Sequence, residues 1–260
     1  MSYPSLQITF LGTGTSSGVP MVGCHCEVCT SHDSKDKRLR SSILIQSPRT
    51  SIVIDTGPDF RQQMLTHKVD KLDAVLLTHS HKDHIAGLDD VRAYNYFQQK
   101  PMDVFASEAT LKRVKTEFDY AFADVKYVGV PSVNLHTIND CDPFDVNDMV
   151  VIPVPVWHLY MPVLGFRTGN FTYITDANRI EPASKEKIKG SEILVLNALR
   201  KEKHISHFTL QEALALADEL QIPQVYFIHL SHQMGLHHII TKELPEGRYL
   251  AYDGLKLQIS

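Results

Sequence analysis

Short apolar segments along the chain each end on a histidine or an aspartate. The segments are rich in Val, Ile and Leu and have the length of β-strands. They span 51–54 before Asp55, 74–77 before THSHKDH, 150–156 before Trp157-His158, 171–175 before Asp176, and 225–228 before His229. One buried polar residue at a strand end is common. Because sites in α/β proteins gather where strands end, the repeated pattern predicts one shared polar site.

Helical patterns lie between these strands. We predict helices over 59–68, 85–99, 107–119, 181–188 and 209–220. The last is the clearest, because Thr209 and Glu212 have the spacing of a capping box. The N-terminal strand QITFL runs into GTGTSSG, which lacks the lysine of a P-loop and predicts a tight turn near a site. With no repeat or long linker, the alternation predicts a single α/β domain over residues 1–260.

Composition places the chain among ordinary soluble proteins. Hydrophobic residues make up 43% and charged residues 22% of the 260 positions. We find no apolar run of membrane-spanning length and no signal sequence, so we expect a cytoplasmic protein with reduced thiols and no membrane partner. The net charge of -4 argues against nonspecific nucleic-acid binding. The 14 histidines are the unusual feature, since histidine is the commonest metal ligand.

The segment THSHKDH holds the densest chemistry. His79 and His81 are two residues apart and point the same way in an extended chain. Asp83 and His84 follow as the chain turns toward a helix. Together with the strand-end residues His158, Asp176 and His229, they offer more ligands than one metal ion takes. The count fits two metal ions with an aspartate between them.

A second group of metal-binding residue types is the sequence GCHCEVC. Cys24, Cys26 and Cys29 could provide three thiolates of a closed tetrahedral zinc site. A redox role for the Cys-x-x-Cys part is weaker, because a third cysteine stands beside it. His25 lies inside the loop and is awkwardly placed as a fourth ligand. From the spacing alone the fourth ligand stays open between Cys141 and a distant histidine.

The pattern HxHxDH, preceded by IDTG and followed by strand-end His, Asp and His, resembles the metallo-β-lactamase superfamily of metal-dependent hydrolases. The resemblance covers nearly the whole chain. It implies an α/β fold, an αββα sandwich of two mixed β-sheets flanked by helices with the metals at one sheet edge. It also implies a ligand set: His79, His81 and His158 on one metal, Asp83, His84 and His229 on the second, Asp176 bridging, and Asp55 orienting the histidine loop.

The start of the chain narrows the resemblance. A true β-lactamase is disfavoured, because the bridging residue is a carboxylate rather than a cysteine. LGTGTSSGVPMVGCHCEVC resembles the phosphoribosyl cyclic phosphodiesterase of the carbon–phosphorus lyase pathway and its relatives. That resemblance implies a structural Zn²⁺ held by the three cysteines and His232, and a homodimer. It makes His207 the candidate general acid, with His204 as the alternative.

The resemblance also implies an activity. Two catalytic divalent metals, Zn²⁺ or Mn²⁺, would share a bridging hydroxide that attacks a small phosphodiester, such as a cyclic ribose phosphate. His207 would protonate the leaving group, and Asp83 would help position the water while binding metal. Arg61, Arg92 and Arg167 could bind a second phosphate, although surface salt bridges explain each of them as well.

Other functions fit parts of the pattern. A nuclease resembling the transfer-RNA 3′-processing family would need a substrate-gripping arm, and the short interval between His158 and Asp176 leaves no room for it. A protein of pyrroloquinoline-quinone biosynthesis has a similar cysteine loop, but the complete HxHxDH and His207 favour the phosphodiesterase. An iron-dependent oxygenase and a metal-bound binding module without turnover are the alternatives from other classes.

Overall fold

The computed structural model describes residues 5–125, 127 and 129–259, and its first sheet has seven strands. In space the order is β14-β1-β2-β3-β4-β5-β6. The strands are β1 (Leu6–Gly12), β2 (Ser42–Gln46), β3 (Ser51–Ile54), β4 (Ala74–Leu76), β5 (Met102–Ala106), β6 (Val133–Thr137) and β14 (Lys256–Ile259). Neighbours are parallel from β3 to β6 and antiparallel from β14 to β3, so the sheet is mixed.

The second sheet repeats this plan. Its spatial order is β13-β12-β11-β10-β9-β8-β7. The strands are β7 (Phe144–Val146), β8 (Met149–His158), β9 (Met161–Thr168), β10 (Phe171–Ile174), β11 (Ile193–Asn197), β12 (Gln224–Ile228) and β13 (Arg248–Leu250). Neighbours are parallel from β10 to β13 and antiparallel from β7 to β10. Each sheet therefore has a parallel half, whose carboxyl ends can carry a site.

Helices pack on the outer face of each sheet, except the first helix, which lies in the cysteine loop. They are α1 (Glu27–Thr30), α2 (Phe60–His67), α3 (Lys82–Ile85), α4 (Arg92–Gln98), α5 (Glu108–Glu117), α6 (Asp119–Phe122), α7 (Pro182–Ile188), α8 (Leu210–Glu219) and α9 (His237–Glu243). Short 3₁₀ turns cover Ser34–Asp36, Leu88–Val91 and His232–Met234. Within the described ranges, no helix is long and apolar enough to cross a membrane.

The side-chain alternation of the strands builds the layers. In β2, Ile43 and Ile45 join the core between the two sheets, whereas Leu44 joins the core under the helices of the first sheet. In β12, Tyr226 points into the same central core and Phe227 packs toward the helices of the second sheet. This period of two follows from strand geometry. The result is the αββα sandwich that the sequence resemblance implied, and that prediction is confirmed.

The helix predictions were correct where a cap marks the boundary. Helix α8 begins after Thr209, whose side chain accepts from the Glu212 backbone N–H in a complete capping box. The predicted helix 85–99 was only partly correct, because the segment divides into the end of α3, the 3₁₀ turn Leu88–Val91 and α4. Gly87 explains the break: its N–H bonds the Thr56 carbonyl at 2.8 Å, and a Cβ there would lie 2.2 Å from the Gly57 carbonyl oxygen.

Candidate metal centres

The polar strand ends meet at one edge of the sandwich. Asp55 follows β3, His79 comes shortly after β4, His158 ends β8, Asp176 comes just after β10, and His229 follows β12. Asp55, Asp176 and His229 have left-handed backbones, with φ of 66°, 54° and 56°. Such conformations cost about 1 kcal/mol or more for residues other than glycine and tend to occur at functional sites. The left-handed conformations turn the chain out of the sheet directly after each strand, which leaves these three side chains at the sheet edge.

Asp176 lies at the junction of this group, which we call the strand-end cluster. Three sets of donor atoms lie within 4.8 Å of one another, and Asp176 belongs to each: Asp83, His84, Asp176 and His229; His79, His81 and Asp176; His158, Asp176 and His207. The two carboxylate oxygens of Asp176 face different partners. Oδ1 lies 3.1 Å from His229 Nδ1 and 3.4 Å from His84 Nε2, whereas Oδ2 faces His79 Nε2 at 3.8 Å.

Several buried nitrogens of the cluster have no hydrogen-bond partner among the described residues. They are Nε2 of His79, Nε2 of His84 and Nδ1 of His207. Leaving a buried polar atom unpaired costs about 1–3 kcal/mol. A cation bound among them would satisfy the two Nε2 atoms that point toward Asp176. Imidazole nitrogens and carboxylate oxygens together suit Zn²⁺ or Mn²⁺, so the residues fit the divalent metals that the fold implies.

Asp55 orients two of the histidines from beneath the cluster. Its Oδ2 lies 2.7 Å from His84 Nδ1, and its Oδ1 accepts from the Thr78 backbone N–H at 2.8 Å. The Thr78 hydroxyl bonds Asp55 at 2.8 Å and lies 2.9 Å from His79 Nδ1. The Nδ1 atoms of His84 and His79 therefore contact Asp55 and Thr78, and the Nε2 atoms of both histidines face Asp176. Such outer hydrogen bonds fix the ring orientation of metal-binding histidines.

The charges of the cluster favour a cation. Burial would raise the pKa of Asp176, but the nearby His229 and His84 outweigh it and hold the pKa well below the usual range. Burial would lower the pKa of His84, yet the carboxylates of Asp176, Asp55 and Asp83 raise it well above the usual value. The ionised carboxylate of Asp176 is thus packed among imidazole nitrogens, which is an arrangement that a divalent metal uses.

His158 and His207 form the third donor set with Asp176. His158 Nδ1 lies 2.9 Å from the Ser206 carbonyl, so this nitrogen donates and Nε2 is left for the cluster. The His207 ring centre lies 4.6 Å from that of His158 and 4.8 Å from that of His229. Burial lowers the pKa of His207 to about 2. His204 is less buried and outside the three donor sets, so the structure brings His207 rather than His204 into the group.

The cysteine cluster is a separate site formed by Cys24, Cys26, Cys29 and His232, whose donor atoms lie within 4.8 Å of one another. His232 Nδ1 is 3.4 Å from Cys24 Sγ and 3.3 Å from Cys26 Sγ. The His232 hydrogen bond is the main cause that lowers the pKa of Cys26 to about 6, and burial raises the pKa of Cys29 to about 11. The backbone N–H of Met21 donates to Cys29 Sγ at 3.4 Å.

The two other fourth-ligand candidates lie outside this donor group. Cys141 is exposed and its thiol contacts Asp140 on a different loop, and His25 is exposed within the cysteine loop itself. The structure therefore places His232 beside the three thiols. His232 opens the 3₁₀ turn that follows β12, so the cysteine loop packs against the segment that also carries His229.

Two of the three candidate phosphate-binding arginines have other partners. Arg167 donates to the backbone carbonyls of Gly169, Lys187 and Lys189. Arg92 pairs with Asp89 at 3.1 Å. Arg61 lines a groove between α2 and α4. The partners of Arg92 and Arg167 support a stabilising role for these two residues rather than phosphate binding.

Sequence patterns missed the residues that support the ligands. Thr78 links Asp55 to His79, and the Ser206 carbonyl holds His158. Thr15 Oγ1 lies 3.1 Å from His229 Nε2, although the two residues are far apart in the chain. For two of these residues the sequence does give a signal, because each stands next to a candidate site residue: Thr78 directly precedes His79, and Ser206 directly precedes His207. No local signal links Thr15 to His229.

Comparisons with known proteins agree with this architecture. A family model described as "Beta-lactamase superfamily domain" matches residues 50–230. The crystal structure of a new diphosphatase from the PhnP family has a TM-score of 0.92 and 39% identity, over 98% of this chain and 97% of that one. Zn²⁺-bound PqqB from Methylobacterium extorquens has a TM-score of 0.76 at 22% identity, over 96% and 99% of the two chains, which shows the shared fold.

Two named relatives are longer proteins. An octanoyltransferase from Porphyromonas gingivalis is 39% identical over 96% of this chain, which covers 51% of that protein. A coenzyme PQQ synthesis protein B from Methylorubrum extorquens is 29% identical over 46% of this chain and 44% of its own length. The sequence matches thus cover about half the length of each of these two relatives. By its fold, the matched residues and its full-length likeness to the PhnP-family diphosphatase, the chain belongs to the β-lactamase superfamily of metal-dependent hydrolases.

Proposed function

We propose that the chain is a phosphodiesterase that uses two divalent metal ions, Zn²⁺ or Mn²⁺, held on either side of Asp176. The observation that carries this proposal is the orientation of its carboxylate, whose two oxygens face different histidines. A carboxylate placed in this way can bind one metal with each oxygen. His79, His81 and His158 would complete one site, and Asp83, His84 and His229 the other.

The chemistry follows from the residues around the cluster. When bound there, the metal ions lower the pKa of water and offset negative charge on a phosphoryl group. Asp83, with a side chain 13% exposed, reaches the solvent edge of the cluster and can orient the attacking water. His207 lies beside His158 and His229. Burial keeps it neutral in the free protein, and the negative charge of a bound phosphate would raise its pKa so that it could deliver a proton to the departing oxygen. Asp55 contacts no solvent and keeps His84 in place.

The cysteine cluster would hold a structural Zn²⁺. Three thiolates and one imidazole form a closed tetrahedral shell with no position left for substrate. The N–H of Met21 supports the Cys29 sulfur, and the pKa of Cys26 is lowered toward the thiolate form. Because His232 follows His229 closely in the chain, zinc at this site would brace the loop that carries a catalytic ligand.

A small substrate fits better than a nucleic acid. The chain between His158 and Asp176 forms the hairpin strands β9 and β10, with short turns and no projecting arm. The PhnP-family relative is described as a diphosphatase, which supports phosphate chemistry at this fold. A cyclic ribose phosphate remains the proposed substrate class. The cytoplasmic location and the homodimer remain predictions.

Acyl transfer, the activity in the name of the longer relative, has less support from the residues. A transferase that carries an acyl group on the protein needs a nucleophile such as cysteine or lysine. The donor sets around Asp176 contain only histidine and aspartate, and the thiols of the cysteine cluster are grouped with His232. The match covers 51% of that relative, so we infer that its acyl transfer belongs to the other half. We assign phosphodiester hydrolysis to this chain.

A substrate panel tests the proposal. Purified protein loaded with Mn²⁺ or Zn²⁺ is assayed on an aryl phosphodiester, a ribose cyclic phosphate, a lactone and an octanoyl thioester. We expect turnover of the phosphodiesters that is lost in Asp176→Asn. Turnover of the thioester or the lactone alone would contradict the proposal. Iron-dependent O₂ consumption without hydrolysis would favour the oxygenase instead.

A further inference from the structure

The glycine-rich loop GTGTSSG joins the edges of the two sheets beside the strand-end cluster. The Gly14 N–H bonds the Leu39 carbonyl at 2.8 Å on one side. On the other side, the Thr15 N–H bonds the Leu230 carbonyl at 3.1 Å, and the Leu230 N–H bonds the Thr13 carbonyl at 3.0 Å. A Cβ on Gly14 would lie 2.9 Å from the Arg38 carbonyl oxygen, which explains the glycine. The loop is therefore fixed against the residue that follows His229.

The two threonines of this loop have different contacts. Thr13 Oγ1 donates to Asp253 at 2.7 Å and accepts from the Arg38 guanidinium at 2.8 Å, which anchors the loop away from the cluster. Thr15 Oγ1 instead lies 3.1 Å from His229 Nε2. Thr15 is 7% exposed and His229 is 1% exposed, so water has little access to this contact.

The contact bears on which nitrogen of His229 is available to a metal. His229 Nδ1 lies 3.1 Å from Asp176 Oδ1 and 3.4 Å from Ser41 Oγ, on the side of the strand-end cluster, whereas Nε2 faces Thr15. A neutral imidazole carries a proton on one nitrogen and a lone pair on the other. When Nε2–H donates to Thr15 Oγ1, the lone pair is on Nδ1 and points toward Asp176.

We propose that Thr15 is a positioning residue that holds His229 in the Nε2–H tautomer and so sets the affinity of the second metal position. The inference rests on the proposed metal-binding function of the strand-end cluster. It gives the glycine-rich loop a role: its backbone contacts on both sheets place one hydroxyl behind a metal ligand. Outer contacts of this kind typically change metal affinity by about 10–100-fold.

The test compares Thr15→Val, Thr15→Ser and Thr13→Val in the full-length protein. Valine keeps the size of threonine and removes its hydroxyl, whereas serine keeps the hydroxyl. Thr13→Val removes a hydroxyl from the same loop without touching His229. Titration of metal-free protein with Mn²⁺ or Zn²⁺ against a chromophoric chelator measures the weaker catalytic site, and thermal melting reports folding. Turnover of an aryl phosphodiester at limiting and saturating metal is the second measurement.

We expect Thr15→Val to weaken the second metal site by about 10–100-fold. Its activity should fall at limiting metal and largely return at saturating metal. Thr15→Ser should bind like the wild type, and Thr13→Val should lower the melting temperature with metal affinity kept. If Thr15→Val does not fold, Thr15→Ala is compared with Thr15→Ser, since these two variants differ only in the hydroxyl group.

Two results would overturn the inference. One is wild-type metal affinity in the folded variant that lacks the hydroxyl. The other is a loss in Thr15→Ser equal to that in Thr15→Val, which would assign the effect to packing. In both cases the wild-type protein would still bind two catalytic metals and hydrolyse phosphodiesters, so the proposed function would stand. Wild-type protein without a second metal site would instead contradict the proposed function.

Discussion

The strand-end cluster and the cysteine cluster differ in how the chain builds them. The strand-end cluster collects side chains from the ends of strands in both sheets, and Asp176 at its junction is almost fully buried. The cysteine cluster takes three of its four residues from one short loop, and only Cys29 is buried. The first depends on the whole sandwich for its geometry. The second depends on a local loop and one distant histidine.

The donor chemistry of the two clusters differs in the same way. The strand-end cluster offers nitrogen and oxygen donors around a carboxylate. In the proposed function two ions would share that carboxylate, with positions left for water and substrate. The cysteine cluster offers sulfur donors in a closed set. The segment from His229 to His232 connects them. We therefore expect the clusters to be separable by mutation, one controlling turnover and the other stability.

Asp176→Asn should have the largest effect on activity. The substitution removes the shared negative charge from both metal positions but keeps the size of the side chain. We expect phosphodiesterase activity to fall by about 10³-fold or more. Catalytic metal should be lost, while the zinc of the cysteine cluster stays. Glu186→Gln on the surface of α7 is the control. Activity within the wild-type range in Asp176→Asn would remove the distinction between the clusters.

His207→Gln should have the next largest effect, and it should depend on the leaving group. Loss of a general acid costs about 10²–10⁴-fold when the leaving oxygen needs a proton. A nitrophenolate leaves without that help, so its diester should be affected much less than an alkyl or ribose diester. His204→Gln is the matched control and should change both rates little. An equal loss on both substrates in His207→Gln would show that the residue positions metal rather than donating a proton.

Asp55→Asn should weaken metal binding with a smaller loss of turnover. The amide cannot replace the carboxylate that contacts His84 and Thr78 together. We expect about 10–100-fold lower metal affinity, partly restored by excess metal. Chelator competition measures the affinity, and zinc at the cysteine cluster gives an internal reference. Wild-type affinity in this variant would mean that Thr78 and the backbone orient the histidines without Asp55.

Cys26→Ser should change activity least and stability most. One thiolate is lost from the cysteine cluster, so its zinc should dissociate. We expect a loss of unfolding free energy on the order of 3 kcal/mol, with turnover at 25 °C largely kept. Denaturant unfolding and steady-state kinetics measure the two effects. Cys141→Ser, at an exposed thiol, is the control and should change neither. Loss of catalytic metal from a folded Cys26→Ser would contradict a purely structural site.

The sequence was most informative where the chain pattern repeats. Strand endings at Asp55, Asp176 and His229 predicted one shared edge because parallel strands end together. His158 reaches the same edge at the end of β8, which is an antiparallel strand. The Thr209 and Glu212 box predicted the start of α8 because capping is local. Several strands were not predicted individually, among them β9 and β11. The segment 150–156 was predicted too short, since β8 runs to His158.

The remaining features depend on contacts between distant segments. Thr15 meets His229 only because the first and second sheets come together at this edge. The division of the predicted helix 85–99 depends on Gly87 packing against the loop after Asp55. Small residues such as Thr15 and Gly87 add nothing to a periodic hydrophobic pattern, and tertiary structure determines their partners. The outer support of the metal ligands was therefore the part that sequence patterns could not predict.

Metal content measures most directly whether two separate centres serve separate roles. The protein is loaded with Mn²⁺ and Zn²⁺ and then dialysed against metal-free buffer. Its metal content is measured by mass spectrometry in three forms: wild type, Asp176→Asn and Cys26→Ser. We expect about three metal ions per wild-type chain, about one zinc in Asp176→Asn, and about two catalytic ions in Cys26→Ser. A single metal in the wild type, or the same loss in both variants, would show that the two clusters are not separate centres.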